Sequence, residues 1–405
     1  MQAAGPTTGL LRASLTLLAG GALAQLVPLL LGPWLTRLYS PEAFGVYHLL
    51  AAVAANLAVV ACGRYEFALP KAGDDAQAQA LRSLCLRLLW VAAAIGGAAG
   101  ALWAAWLGEA WPLWLGPAVA LLGLLSLATL NATRAQRFAA LAWARVLQHG
   151  GGALLQGLAG VVSAGVHGLL AGPVLAAGLA AAALGGSGPA RASREQRRAV
   201  ARAHRDFPLL NTPHAFLGAL QDTLAVALVA ASQGAAAAGA WGLALRYLKA
   251  PATLVGGAVS QALYPALARA GRTREGRALV LRTMGLLALL AAPLVVLLWA
   301  VAPPLFAWAF GEAWRAAGEL ARALALYVGL HFVASPLGVV TMAWDAQAWA
   351  LRLAVVGQAA FVAALAAGLA LDGLRGAGWA VSLTMTLYFG WYFLGLARWP
   401  VEERA

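Results

Sequence analysis

Apolar runs of about 20 residues follow one another along this chain with short polar breaks between them, and each is long enough to cross a ~30 Å hydrocarbon layer as a helix. In order, they predict spans near 11–35, 43–63, 84–107, 112–133, 146–166, 168–184, 208–233, 239–265, 279–302, 318–343, 348–371 and 376–397. The count is twelve. Between the fifth and sixth, Val166-His167 is almost the sole polar break. The longest polar stretch, residues 185–205, lies near the midpoint. The expected fold is an all-α polytopic membrane protein with an N-terminal six-helix lobe (1–184), a basic cytoplasmic linker (185–205) and a C-terminal six-helix lobe (206–405). An even number of spans per half lets both halves enter the membrane from the same side, as parallel repeats do. A faint echo agrees: Phe44-Gly45-Val46-Tyr47 opens span 2, and Gly239-Ala240-Trp241 opens span 8.

Charge then fixes an orientation. Most of the 28 Lys and Arg residues fall in alternate loops: Arg64, Lys71, Arg82 and Arg87; Arg134, Arg137 and Arg145; the arginines of the linker; and Arg269 to Arg282. Cytoplasmic loops carry such an excess, so the linker and both termini are expected in the cytoplasm of a bacterial inner (plasma) membrane. Trp103, Trp106, Trp111 and Trp114, with Trp308 and Trp314, are expected to form an aromatic belt at the outer edge. Composition agrees, with 62% hydrophobic and 11% charged residues. The formal charge of +13 would suggest nucleic acid in a soluble protein, but these arginines are neither gathered on one face nor interleaved with stacking aromatics. No nucleic-acid partner is expected. Arg12 and the Ala22-Leu23-Ala24 triplet resemble a signal peptide, yet apolar sequence continues to Leu35, so an uncleaved first span is expected.

Polar groups within hydrocarbon are expensive, and their places show which helices line water or a ligand. They gather in spans 1, 2, 7 and 8: Thr16, Gln25, His48, Asn56, Asn211, His214, Gln221, Asp222, Arg246, Lys249, Ser260 and Gln261. Pro28 and Pro33, Pro208 and Pro213, and Pro251 bend the same helices. Arg246 and Lys249, at i and i+3, share a helix face. Each charge near the bilayer centre costs about 2.5–3.5 kcal/mol on insertion scales, so the pair is expected to face the interior. A phosphate-binding floor is one reading, and internal pairing with Asp222 is the other. At 1.5 Å per residue Asp222 and Lys249 lie at a similar depth, roughly 15 Å, so the two readings combine if a cargo diphosphate displaces Asp222 from Lys249. Candidate binding residues are thus Arg246, Lys249, Asp222, Gln25, Asn56 and Gln221.

No catalytic residues are expected, because no Walker loop, nucleophile elbow or metal-ligand cluster can be read from the spacing. Cys62 and Cys85 read as small buried apolar residues, with no disulfide or zinc site implied. The histidines are scattered singly. No cofactor is expected beyond a coupling ion whose identity the sequence does not specify.

Four stretches carry a family resemblance: LAQLVPLLLGPWLTRLYSPEAFGVY (Leu23 to Tyr47), GRYEFALPKA (Gly63 to Ala72), RDFPLLNTPHAFLGAL (Arg205 to Leu220) and GAWGLALRYLKAPATLVGGAVSQALYPALARA (Gly239 to Ala270). The chain resembles the polysaccharide or O-antigen flippases (Wzx-type) of the multidrug/oligosaccharidyl-lipid/polysaccharide exporter superfamily. The resemblance implies a V-shaped central cavity lined by helices 1, 2, 7 and 8, alternating access, and a polyprenyl-diphosphate-linked oligosaccharide as cargo. It places Arg37, Gly45, Tyr47, Arg64, Glu66, Asp206, Pro208, Arg246 and Pro251 on motif positions. Of these, Arg246 is assigned to substrate contact, and Arg37, Arg64, Glu66 and Asp206 to gate or structural roles. Lipid-linked oligosaccharide, membrane lipids and the polysaccharide polymerase machinery are the partners expected for surface polysaccharide (lipopolysaccharide) biosynthesis. Two alternatives stand beside it: a small-molecule exporter of the same superfamily, and a membrane polymerase or ligase, which would need a large outer loop that this chain lacks.

Overall fold

The computed structural model describes residues 6–185 and 191–401, with side chains from residue 19 onward. Arg12, Thr16 and residues 186–190 of the linker, named above, lie outside the described side chains. Among the described residues the chain is helical throughout: α1 (Pro6–Leu38), α2 (Pro41–Val60), α3 (Asp75–Leu107), α4 (Leu115–Arg134), α5 (Phe138–Val146), α6 (Gly152–Val161), α7 (Gly165–Leu184), α8 (Arg194–Ala203), α9 (Thr212–Ala270), α10 (Arg274–Phe310), α11 (Arg315–Ala323), α12 (Ala325–Ala343) and α13 (Gln347–Ala397). Nine described segments are long and apolar enough to cross a membrane. Two of them are broken internally: α9 at Gly234 (φ 83°, ψ 175°) and α13 at Asp372–Gly373. Glycine reaches that positive φ without the Cβ clash that penalises other residues, so Gly234 turns the chain between two helices with almost no loop.

Helix starts follow local chemistry. Ser40 ends the turn before α2, with its hydroxyl accepting from the Ala43 N–H at 3.3 Å, Pro41 at the first position and Glu42 in the first turn. Asp74 caps α3 through the Gln77 N–H at 2.7 Å, and Gly108 (φ 71°) closes that helix in the left-handed conformation.

Two compact units divide the chain, Met1–Thr223 and Leu224–Ala405. In the first, α3 packs on α4, α6 on α7, and α1 on α5 and α6. Its core runs through Leu50, Leu81, Cys85, Leu89, Val119, Leu127 and Leu170. Small residues bring these helices together, as membrane helices require. A Cβ on Gly157 would fall 1.8 Å from the Trp34 ring, so α6 meets α1 only because Gly157 lacks one. In the second unit α10 packs on α11 and α12, and α12 on α13. There Trp241, Phe361 and Tyr327 are buried, and the Phe361 ring contacts both of the others, with Trp241–Phe361 and Tyr327–Phe361 centroids 6.3 and 5.9 Å apart.

The outward surfaces are apolar: Leu30, Trp90, Leu102, Leu289, Trp299, Leu371 and Leu387 are all exposed. A water-soluble protein rarely shows apolar patches of this extent, whereas a lipid-facing surface requires them.

Four expectations are corrected. The fifth span is not one helix over 146–166 but α5 and α6 joined by a π-helical turn, Leu147–Gly151. The break after it falls at 162–164 rather than at Val166-His167, because Ser163 and Gly165 take left-handed φ of 57° each and end α6 there. The tenth span, expected over 318–343, is split at Leu324: α11 buries Ala317, Leu320 and Ala321 while Glu319 stays exposed and ion-paired to Arg322 (3.9 Å). The belt is also smaller than expected. Trp106 and Trp308 project outward at 80% and 78% exposure, but Trp111 and Trp314 are core residues, Trp111 stacked edge-on against Trp103 at 4.7 Å.

Candidate functional site

Within the second unit, Arg246 and Lys249 lie on the part of α9 after the Gly234 break. Both are half-buried. Tyr247 between them packs against Phe310, with centroids 4.6 Å apart, which anchors the opposite side of this helical turn to α10. Pro251 has no N–H to donate to the Tyr247 carbonyl one turn before it, and two residues further on the Thr253 hydroxyl donates back to the Lys249 carbonyl at 2.9 Å. Further along, the Ser260 hydroxyl donates to the Pro336 carbonyl of α12 at 3.3 Å, where Gly256 allows close approach. The two cations are thus held on a helix that is fixed by its neighbours on other faces. Half-buried positive groups on an otherwise apolar span are suited to an anion, and Arg offers a planar fork of donors matching phosphate oxygens.

In the first unit one polar residue of α2 is tied to the start of α9. Asn56 of α2 is 3% exposed, and its Nδ2 donates to the Thr223 hydroxyl at 3.3 Å. That hydroxyl lies 3.2 Å from both the Ala52 and Ala219 carbonyls. Asn56 Oδ1 is buried without a hydrogen-bond partner. Gln221 is half-buried and Asp222 exposed on the same helix, and Gln25 is half-buried on α1. Asn56 therefore meets Thr223, a residue not picked out from the sequence. The signal that could have found it is a hydroxyl in the middle of a span, next to Asp222 in the sequence.

The gate candidates are spread out. Arg37 is exposed in the last turn of α1, and Asp206 is exposed ahead of the π-helical turn Phe207–Asn211. Arg64 and Glu66 sit together after α2. Arg64 takes a left-handed φ of 61° and lays its guanidinium 3.9 Å from the Phe67 ring centroid. Glu66 is 2% exposed, and burial pushes its carboxyl above the ordinary value, with its own backbone N–H and Arg64 opposing that shift.

The basic linker is anchored to this corner. Ser193 and Gln196 form a reciprocal cap on α8. The Arg197 guanidinium reaches Ser83 of α3 at 3.5 Å and also the Ala192 carbonyl, and the Tyr65 hydroxyl donates to the Ala201 carbonyl at 3.3 Å.

A family model described as "Polysaccharide biosynthesis protein" matches residues 34–319. The chain belongs to that family. No curated protein sequence matches it. Among solved structures, its fold is similar to that of the lipid II flippase MurJ in an inward closed conformation (TM-score 0.67, 10% identity, covering 96% of this chain and 90% of that one). It is also similar to a mutant of the Vibrio cholerae MATE transporter VcmN (0.59, 16%, 96% and 95%) and to a MOP superfamily transporter from Pyrococcus furiosus (0.58, 14%, 95% and 95%). The flippase resemblance read from the sequence is thereby borne out at the level of family and fold.

Proposed function

We propose that the protein is a flippase that carries a polyprenyl-diphosphate-linked oligosaccharide across the bacterial inner membrane by alternating access, as a step in surface polysaccharide biosynthesis. The observation that carries this reading is the half-buried pair Arg246 and Lys249 on one face of an apolar helix. A diphosphate is the part of such a cargo that a span must welcome against its dielectric preference, and paired cations do this. The family match to polysaccharide biosynthesis proteins and the likeness to a lipid II flippase support the same cargo class. The reading takes the chain as twelve crossings: the nine apolar segments, one more for each internal break in α9 and α13, and the interrupted α5–α6 segment.

The likeness to MATE transporters favours a second reading, export of a small molecule. Its charge preference differs, because a cationic drug would be repelled by Arg246 and Lys249.

The deciding experiment is reconstitution of the purified protein in vesicles containing a fluorescent polyprenyl-diphosphate oligosaccharide, with quenching from outside. Protein-dependent exposure of the inner-leaflet label supports the flippase. Absence of flipping, together with resistance to cationic drugs in cells expressing the protein, would establish the exporter instead.

Orientation yields its own prediction. With cysteine placed at Glu109 or Glu195 in turn, a membrane-impermeant maleimide is expected to label the first on intact cells and the second only after permeabilisation. Labelling of the Glu195 position from outside would overturn the topology.

A further inference from the structure

Two cysteines and a glutamate, Cys62 and Glu66 from just past the end of α2 and Cys85 from the next helix, meet where α2 turns into α3. Cys62 follows α2, and Gly63 and Arg64 then take consecutive left-handed conformations (φ 58° and 61°) that fold the chain back sharply. Glu66 is thereby returned towards Cys62, and Cys85, on the facing side of α3, completes the group. The Sγ atoms of Cys62 and Cys85 and a carboxylate oxygen of Glu66 all lie within 4.8 Å of one another. All three residues are buried, at 2%, 0% and 2% exposure. Glu66 Oε2 has no hydrogen-bond partner there. A buried carboxyl oxygen left unpaired is costly unless something ligates it, and here the neighbours that could do so indirectly are two thiols.

We propose that Cys62, Glu66 and Cys85 form a binding site for one thiophilic divalent metal ion of the zinc class. Two sulfurs and one carboxylate oxygen are ligands that zinc takes in tetrahedral sites, and the separations need only modest contraction to surround an ion with S and O bonds of about 2.3 and 2.0–2.2 Å. Thiolate ligands select against magnesium, calcium and manganese, which prefer all-oxygen sites. Binding releases the two thiol protons, and the carboxyl proton where it is present, because each ligand coordinates in its deprotonated form. Two thiolates, a carboxylate and a divalent ion sum to one negative charge. Arg64, whose charge acts on Glu66, offsets it. With three protein ligands, the fourth position is left to a water molecule.

The ion would tie the end of α2 to α3 at the corner where Tyr65 also holds α8. It is a structural clamp, and nothing about it depends on which cargo the protein carries. The reading of Cys62 and Cys85 as small apolar residues captures their burial; their convergence with Glu66 adds a chemistry that their spacing in sequence does not reveal.

The test uses the full-length protein purified in detergent with a phosphine reductant, stripped with chelator and then loaded with Zn2+ or Co2+. The expected result is one equivalent of tightly held zinc by mass spectrometric metal analysis, a Co2+ form with thiolate-to-metal charge-transfer absorption and tetrahedral visible bands, and a higher melting temperature on loading. Cys62→Ala and Cys85→Ala should each lose the tight equivalent and the charge-transfer band, and Glu66→Gln should keep the band with weakened affinity. The Co2+ spectrum of the unmodified protein reports thiolate ligation even where a variant does not fold. The proposal is overturned if the unmodified protein holds no tight zinc and gives no thiolate band. It is equally overturned if both alanine variants bind as it does, or if Cys62 and Cys85 are isolated as a disulfide that persists in cells.

Discussion

Replacing Arg246 with alanine is expected to abolish transport while leaving the amount of protein in the membrane at or above the normal level. The two effects separate because the residue is a liability to the fold and an asset to the cargo. A charge near the middle of a span costs about 2.5–3.5 kcal/mol on insertion scales, so Arg246→Ala removes a burden from the folded helix, whose other contacts run through Tyr247, Thr253 and Ser260. Truncating one member of a desolvated charge pair with a ligand, by contrast, costs about 2–5 kcal/mol of recognition, on the order of 30-fold to several thousandfold. Lys249→Ala should follow the same pattern. Arg246→Lys should recover part of the activity, since the charge returns but the planar two-pronged contact does not. Initial flipping rates in vesicles, normalised to protein content, make the measurement. Wild-type rates in Arg246→Ala would remove Arg246 from the cargo site, whereas loss of protein in step with activity would make it a folding residue.

Much of this architecture is written in the order of residues, and some of it is not. Continuous apolar runs identify spanning helices because a bilayer imposes a length, and that constraint is local. Gly234 marks a turn inside a long helical stretch for a similarly local reason. What escapes is whatever depends on the facing helix. Trp111 and Trp314 look like interfacial anchors by position, yet are packed inside because a neighbouring helix covers them. The spans expected over 146–166 and 318–343 look continuous in hydropathy but are interrupted by the π-helical turn Leu147–Gly151 and at Leu324. At the candidate site, Arg246 and Lys249 were legible because two charges in an apolar span have few tolerable places. Thr223 was not, since a threonine in a span is commonplace until Asn56 is seen against it. The grouping of Cys62, Glu66 and Cys85 depends on a fold-back across two helices, which spacing alone does not encode.

Asn56 presents the opposite balance to a packing residue, and its substitution is expected to split stability from transport. Its amide is buried, its Nδ2 is spent on the Thr223 hydroxyl, and its Oδ1 has no hydrogen-bond partner. Leaving a buried acceptor unmade costs about 1–3 kcal/mol, while the Asn56–Thr223 bond returns only about 0.5–1.5 kcal/mol. Leucine, of similar size and wholly apolar, should therefore leave the melting temperature of the purified protein unchanged or raise it. Thr223 keeps its alternatives in that variant, because its hydroxyl is also within reach of the Ala219 carbonyl on its own helix. Transport should nevertheless fall, because a polar group retained at a net cost inside an apolar helix is kept for what it does when the helices move. On this argument Oδ1 and Nδ2 find new partners in another conformation or on the cargo, and Thr223→Val, which removes the resting partner alone, should slow transport less than Asn56→Leu does. Melting curves and flipping rates for the two single variants and the double variant decide it. A melting temperature that drops together with transport in Asn56→Leu would instead make the amide a structural tie between α2 and the start of α9.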